Sequence, residues 1–362
     1  VWAKVSSQGN ELKKKKKPTA LDLFCGSGGV TLGLKNAGFQ VLGAVDLDPT
    51  ACKTYRENHK KVKLIERDIR DIKPSEFSGV IKYTLDLIAV CAPCQPFSSQ
   101  NRMRSKNDER ARLILEAIPF IEAFDPRLVF LENVPGLEAR PVYREFTKKL
   151  EKNRYAISPP LCLDAAELGV PQRRQRMVMI AAKGVSLDVA IAIAKTTKKT
   201  VRNTLEGLPI PAIGQPAENA DPLHFARRHS ALNITRLEHI PADGGGRSSL
   251  PDHLVLECHK KAKPSAFSDT YGRMKWDDVA PTLTTGCTDI TRGRFAHPEQ
   301  HRAITLREAA RLQSFPDEYR FSGNMAQVSA QIGNAVPPRM MQAIAASLRK
   351  ALATATAAEK GE

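Results

Sequence analysis

From residue 19 onward, short apolar runs alternate with amphipathic or polar stretches of helix length. Ala20-Leu21-Asp22-Leu23-Phe24, Gln40 to Val45, Val62 to Ile65, Leu85-Asp86-Leu87-Ile88-Ala89-Val90 and Leu128 to Leu131 each read as a strand. Runs that are apolar on both faces belong to a parallel sheet covered on both sides. Between them the pattern predicts helices over Val30 to Ala37 and Arg110 to Phe124. Further strands end at Leu163 and span Met177 to Ala182, and Met340 to Leu352 forms a helix with Met341, Ile344, Leu348 and Leu352 on one stripe. This alternation predicts an α/β fold with a doubly wound sheet, whose ligands bind beyond the carboxyl ends of the strands.

The residues at those strand ends are polar and unusual. The first strand runs into Cys25-Gly26-Ser27-Gly28-Gly29, where glycines let the backbone approach a ligand and open a helix whose first N–H groups favour a carboxylate. The second ends in Asp46-Leu47-Asp48, and an acid 20 positions past Gly26 is placed to take ribose hydroxyls in a Rossmann-like sheet. Asp68-Ile69 closes the third strand; for Asp46 and Asp68 the plain alternative is a helix cap. The fourth delivers Ala92-Pro93-Cys94-Gln95-Pro96-Phe97-Ser98, whose prolines hold Cys94 on a stiff, non-helical turn, the placement of a nucleophile. A small apolar core cysteine is the alternative. The fifth delivers Glu132-Asn133-Val134. Within Gln172-Arg173-Arg174-Gln175-Arg176, Arg174 and Arg176 share a face of a strand, and such a pair needs acceptor partners unless it is solvated surface charge.

Five motifs, Asp22 to Gly29, Pro93 to Ser98, Glu132-Asn133-Val134, Gln172 to Arg176 and Gly333-Asn334-Ala335-Val336, resemble the S-adenosylmethionine-dependent DNA (cytosine-5) methyltransferase family, in that family's order, from about residue 20 to about residue 340. The resemblance implies a Rossmann-like S-adenosylmethionine-dependent methyltransferase domain with a smaller inserted target-recognition domain. The glycine turn agrees, since it lacks the G-x-G-x-x-G spacing of a pyrophosphate site. Family match implies cofactor contacts from Phe24, Gly26, Gly28, Gly29, Asp46, Leu47, Asp68, Ile69, Pro93, Leu113 and Asn334, with Asp68 accepting from the adenine amine. Leu47 stands where the family often has a larger side chain over the adenine. Catalysis is implied for Cys94, Glu132, Arg174 and Arg176. Carbon 5 of cytosine is too weak a nucleophile to attack a sulfonium methyl, so Cys94 is expected to add to carbon 6 while protonated Glu132 donates to ring N3 and the arginines hold the base carbonyl. The base must leave the stacked duplex first.

Composition sharpens the choice of partner. Fifty-five Lys and Arg against 39 Asp and Glu give +16, which suits a polyanion such as double-stranded DNA. Residues 201–300 hold twelve of each sign and six of the eight His, so the excess lies on the flanks. The expected organisation is a basic, disordered tail (1–18, ending in Lys13 to Lys17 and Pro18), a catalytic and cofactor-binding domain (19–200), a target-recognition domain (201–300) and a segment returning to the catalytic domain (301–362). No regular element is convincing in 201–300 apart from short strands such as Leu254-Val255-Leu256-Glu257. Candidate DNA contacts are Gln100, Arg102 and Arg104 on a polar loop after Cys94, Gln100 filling the space of the extruded base, and Arg227, Arg228 and Arg247.

No apolar run approaches the roughly 18 residues of a membrane span. Seven cysteines without regular spacing fit a reducing compartment. Cys91 and Cys94 form a CxxC pair, and His253, Cys258 and His259 a conceivable ligand set, but neither has zinc-ribbon spacing and no metal is expected. The resulting picture is a monomeric, cytoplasmic, nucleoid-associated modification enzyme of bacterial or phage type, with a restriction endonuclease as a possible companion. The rivals are an RNA cytosine-5 methyltransferase and a non-catalytic DNA-binding protein that keeps the fold.

Overall fold

A computed structural model of the chain describes residues 17–82, 85–93, 109–261, 268–359 and 361. Five parallel strands form the heart of its sheet: β1 (Thr19–Leu23), β2 (Gln40–Asp46), β3 (Lys63–Glu66), β4 (Leu87–Val90) and β5 (Leu128–Asn133). Beyond them β6 (Ala156–Ile157) and β7 (Leu161–Asp164) both pair with β8 (Gln175–Ala182), which runs antiparallel to β5. The order β3-β2-β1-β4-β5-β8-β6 changes direction between β1 and β4, the switch point at which open α/β sheets bind ligands.

Alternate residues of each central strand enter opposite cores. Leu21, Leu23, Ile88, Val90, Val129 and Leu131 pack into one, Ala20, Leu87, Ala89, Leu128 and Phe130 into the other. Helices α1 (Gly29–Asn36) and α2 (Pro49–Asn58) follow β1 and β2. The first core is closed by α3 (Ile118–Phe124) and α4 (Pro141–Lys152), the second by α1, α5 (Leu187–Ile191) and the terminal helix Pro338–Glu359. Gly33 permits the tight meeting of α1 with the terminal helix, since a Cβ there would lie 2.5 Å from Met341 Cβ. Met341, Ile344, Leu348 and Leu352, the predicted stripe, are all buried in that core.

Residues 201–335 build a core of their own. Its elements are α6 (Val201–Leu205), the two-residue strands β9 (Ala212–Ile213) and β10 (Phe225–Ala226), α7 (Ala231–Glu238), α8 (Glu257–Lys260), α9 (Leu306–Leu312) and α10 (Met325–Asn334). Val201, Leu205, Met274 and Leu283 share one cluster with Leu306, Leu312, Phe315, Tyr319 and Ile332, so residue 300 is no boundary between cores. Leu237, Ile240, Leu254, Tyr271 and Ile290 form a smaller satellite.

Two expected elements differ. The helix over Arg110 to Phe124 is a 3-10 segment, Glu109–Ala117, followed by α3. Pro119 lacks an N–H and its ring clashes with the carbonyl four residues back, so it is accommodated in the first turn of a fresh helix. In place of a strand at 254–257 lie a 3-10 turn, Asp252–Leu254, and α8, because the apolar residues there serve as one corner of the satellite core and meet no partner strand.

Candidate active site

A cavity of about 600 Å³ lies beyond the carboxyl ends of β1 to β5. The folding of each strand end decides what faces it. Phe24 takes φ +63 where β1 stops, a strained value for a side-chain-bearing residue, and lines the cavity with Gly26 and Gly29. Asp46, at the end of β2, accepts from the Gly26 N–H at 2.7 Å and the Asp48 N–H at 2.9 Å, which ties the glycine turn to the second strand. Burial raises the Asp46 pKa above the ordinary carboxylate value. The cap of α2 is Asp48, not Asp46. Leu47, 60% exposed, stands at the rim as an apolar face.

Asp68 does two things. It caps the 3-10 turn Ile69–Asp71 and pairs with the Arg70 guanidinium at 2.7 Å, which holds its pKa down, and it also lines the cavity beside Ile69. Pro93, Leu113 and Asn334 complete the expected wall. Gly28 does not line it: the space its missing side chain leaves is taken by His59 and Tyr319.

The opposite end of the cavity carries Glu132 and Arg176. Glu132 is the penultimate residue of β5 and is buried, and its carboxylate lies 2.9 Å from Arg176 Nε. Loss of solvent raises the Glu132 pKa despite the opposing pull of Arg176 and Arg174. Burial of this kind favours the protonated form of the carboxyl more than solvent does. Asn133 Nδ2 donates to the Ala92 carbonyl at 3.0 Å, so the end of β5 is bonded to the turn that leads into Cys94.

Arg174 and Arg176 take different places, although the charge of each acts on Glu132. Arg174 is buried outside the cavity wall and donates to the carbonyls of Leu283 at 3.0 Å and Gly333 at 2.8 Å, bracing distant segments against β8. The shared face of the sequence pattern ends where β8 begins, one residue after Arg174. Arg227 and Arg228 are exposed and line an open groove with Ile213, Gln215 and Met325, Arg227 pairing with Asp289 at 3.1 Å. Arg247 is half-buried, opens the 3-10 turn Arg247–Ser249 and does not line that groove. Cys94, Gln100, Arg102 and Arg104 lie outside the described residues.

Some wall residues had no signal of their own in the sequence, among them Gln327, Ala330 and Gln331 of α10, which reach the cavity from the far end of the chain. Among the described residues no group of three His, Cys, Asp or Glu could hold a metal ion, so His253, Cys258 and His259 form no ligand cluster.

Residues 19–350 match the model of a family described as C-5 cytosine-specific DNA methylase. The chain is 38% identical over 342 residues to the Type II methylase M.HgiDII of Herpetosiphon aurantiacus, covering 92% of this chain and 95% of that protein. It is 30% identical to the Type II methyltransferase M1.HphI of Haemophilus parahaemolyticus, covering 92% and 87%. Among solved structures, an E. coli prophage-encoded protein described as a DNA modification methyltransferase superposes with a TM-score of 0.72 at 25% identity, covering 93% of this chain and all of the other.

Proposed function

The chain belongs to the C-5 cytosine-specific DNA methylases, and from that premise we propose that it methylates carbon 5 of a cytosine flipped out of a specific short duplex sequence, through a covalent Cys94 adduct. As a DNA cytosine methyltransferase of this fold it uses S-adenosylmethionine. The wall chemistry fits that group: a half-buried acid at Asp46 for hydroxyls, apolar faces at Phe24, Leu47 and Ile69 for a base, and a glycine turn for close backbone approach. When bound, S-adenosylmethionine supplies an electrophilic methyl group.

The observation that carries the reading is the Glu132–Arg176 pair on the wall of the same cavity, bonded through Asn133 to the turn before Cys94. The Cys94 thiolate forms a bond to carbon 6 of the base. Protonated Glu132 donates to ring N3, which makes carbon 5 enamine-like, and Arg176 holds the Glu132 carboxyl in place. Once carbon 5 carries the methyl group, loss of its proton re-forms the ring double bond and expels the thiolate. Arg174 acts one step removed, holding the Leu283 and Gly333 backbones against β8.

The catalytic unit in this reading is 19–200 with the terminal helix, and the stretch from 201 to 300, with Arg227 and Arg228 on an exposed groove, reads the DNA. Arg247, Gln100, Arg102 and Arg104 are further contacts in the same scheme. The Type II relatives support a modification role beside a restriction endonuclease that cuts the same site. The test is single-base mapping of methylcytosine on mixed-sequence duplex DNA and on transfer RNA, incubated in parallel with the protein and S-adenosylmethionine. Methylation confined to one short DNA motif is the expected result. Methylation of RNA alone, or of neither, contradicts the proposal.

A further inference from the structure

Gly28 turns through φ +97, and the room left by its missing side chain is filled by two rings. A Cβ there would lie 2.5 Å from His59 Nε2 and 2.7 Å from Tyr319 Oη. His59 closes the carboxyl end of α2, and Tyr319 comes from the segment between α9 and α10, so three remote parts of the chain meet at one peptide. Neither ring lines the cofactor cavity. Both are buried and approach the glycine turn from its other side.

Each ring places one polar atom on a carbonyl of the turn. Tyr319 Oη donates to the Ser27 carbonyl. His59 Nε2 lies 3.2 Å from the Gly28 carbonyl and 3.1 Å from Tyr319 Oη, and Lys35 Nζ lies 3.1 Å from His59 Nδ1. An ammonium can only donate, so Nδ1 accepts and the imidazole proton sits on Nε2, facing the Gly28 carbonyl. Burial, reinforced by the Lys35 charge, pushes the His59 pKa down to about 3, which keeps the ring neutral in that tautomer. The Tyr319 ring is itself wedged between Phe315 at 4.8 Å and Phe321 at 5.3 Å.

We propose that His59 and Tyr319 are positioning residues for S-adenosylmethionine, holding the Ser27 and Gly28 carbonyls from behind so that the opposite side of the glycine turn keeps the one shape the cofactor fits. This rests on the reading that the cavity beyond β1 to β5 holds that cofactor. The effect is on affinity: the residues touch neither the reacting base nor the Glu132–Arg176 pair. Loss of the Tyr319 hydroxyl leaves the Ser27 carbonyl without its donor, whereas loss of His59 leaves the Gly28 carbonyl only its helix partner, the Leu32 N–H at 2.9 Å; either change lets the turn relax.

The test is titration calorimetry of S-adenosylmethionine into the full chain, paired with steady-state methyl transfer to DNA. Tyr319→Phe keeps the ring and removes the hydroxyl. It is expected to weaken cofactor binding about 5- to 20-fold and raise the cofactor KM by the same factor. The kcat at saturating cofactor and the KM for DNA are expected to stay within about twofold. His59→Leu gives a smaller loss, because the Gly28 carbonyl keeps the Leu32 N–H, and His59→Gln, which keeps an N–H for that carbonyl, recovers most of it. Phe321→Leu loosens the packing around the same ring without touching a donor, and is expected to lower Tm with cofactor affinity unchanged. Equal affinity in wild type and Tyr319→Phe overturns the proposal, as does an equal loss in Phe321→Leu. Wild-type protein that binds no S-adenosylmethionine removes the reading of the cavity and the proposal with it, whereas binding without DNA methylation leaves the clamp testable by calorimetry alone.

Discussion

Strands β4 and β5 bury every residue they contain and match their backbone groups to neighbouring strands, whereas the stretch from 201 to 300 has two two-residue strands and short helices and matches much of its backbone with side chains. Arg273 is the clearest case. It is 1% exposed, and its guanidinium donates to the carbonyls of Leu237, Ile240, His297 and Gln300 at 2.7–3.1 Å. Arg294 likewise serves the carbonyls of Gly244, Gly245 and Arg273. Arginine is scaffold in that stretch. In the sheet region the scaffold is apolar, and buried polar groups such as Glu132 and Asp22 are clustered at the ends of the strands.

The comparison breaks most visibly at the chemistry. Glu132→Gln keeps the size of the side chain and removes the acid, and is expected to lower kcat by about 10²- to 10⁴-fold in single-turnover assays, with cofactor binding near normal. In the proposed mechanism Glu132 acts protonated, and burial raises its pKa, so wild-type activity is expected to fall as pH climbs past that raised value, above the ordinary carboxylate range. A pH–rate profile that descends only below the ordinary range is inconsistent with this role.

Arg273→Met tests the other scaffold. Four carbonyls each lose a charged donor together, and a loss of about 3–5 kcal/mol is expected in denaturant titrations. DNA binding should fall with it while calorimetry still detects S-adenosylmethionine. Loss of both in step would mean that the two regions are not held separately.

Asp22 separates the regions by pH. It is fully buried on β1, its Oδ2 accepts from Thr31 Oγ1 at 2.7 Å, and its Oδ1 has no partner among the described residues. Burial pushes its pKa up to about 7. An acid whose folded pKa exceeds its unfolded one adds stability that is complete below the unfolded value and lost as pH rises through the folded value. Stability is therefore expected to decline from about pH 4 to about pH 7, by roughly 1.4 kcal/mol per unit of raised pKa, and Asp22→Asn should flatten that slope in urea titrations. An unchanged slope in the variant assigns the decline to other groups.

The smallest effect concerns the groove. Arg228→Ala is expected to weaken DNA binding a few-fold and to reduce the slope of log affinity against log salt by about 1, the signature of one lost phosphate contact. An unchanged slope places Arg228 off the DNA.

The same contrast decides what could be read before any coordinates. The sheet was legible because Leu87 to Val90 and Leu128 to Leu131 are apolar on both faces, and the acids and glycines at their ends fall at fixed spacings. The stretch from 201 to 300 was not, because an arginine bonded to carbonyls leaves no periodic trace and reads as surface charge. Arg174 shows this: it is buried and donates to the carbonyls of Leu283 and Gly333, yet in the sequence it looks no different from Arg176. Of the cofactor contacts expected from the sequence, all but Gly28, which serves His59 and Tyr319, line the cavity, whereas Gln327, Ala330 and Gln331 line it without a local signal. His59 and Tyr319 were invisible because the contact joins positions 31 and 260 residues apart, with no local pattern at either ring.

The chemistry at the strand ends is tested most directly by trapping the adduct. The protein is incubated with S-adenosylmethionine and a duplex carrying 5-fluorocytosine at the mapped target position, then run on a denaturing gel. Fluorine at carbon 5 blocks the final proton loss, so the account predicts a protein–DNA band that survives denaturation in wild type and is absent in Cys94→Ser. A wild-type protein that methylates cytosine in the same duplex yet leaves no such band would contradict the covalent role of Cys94.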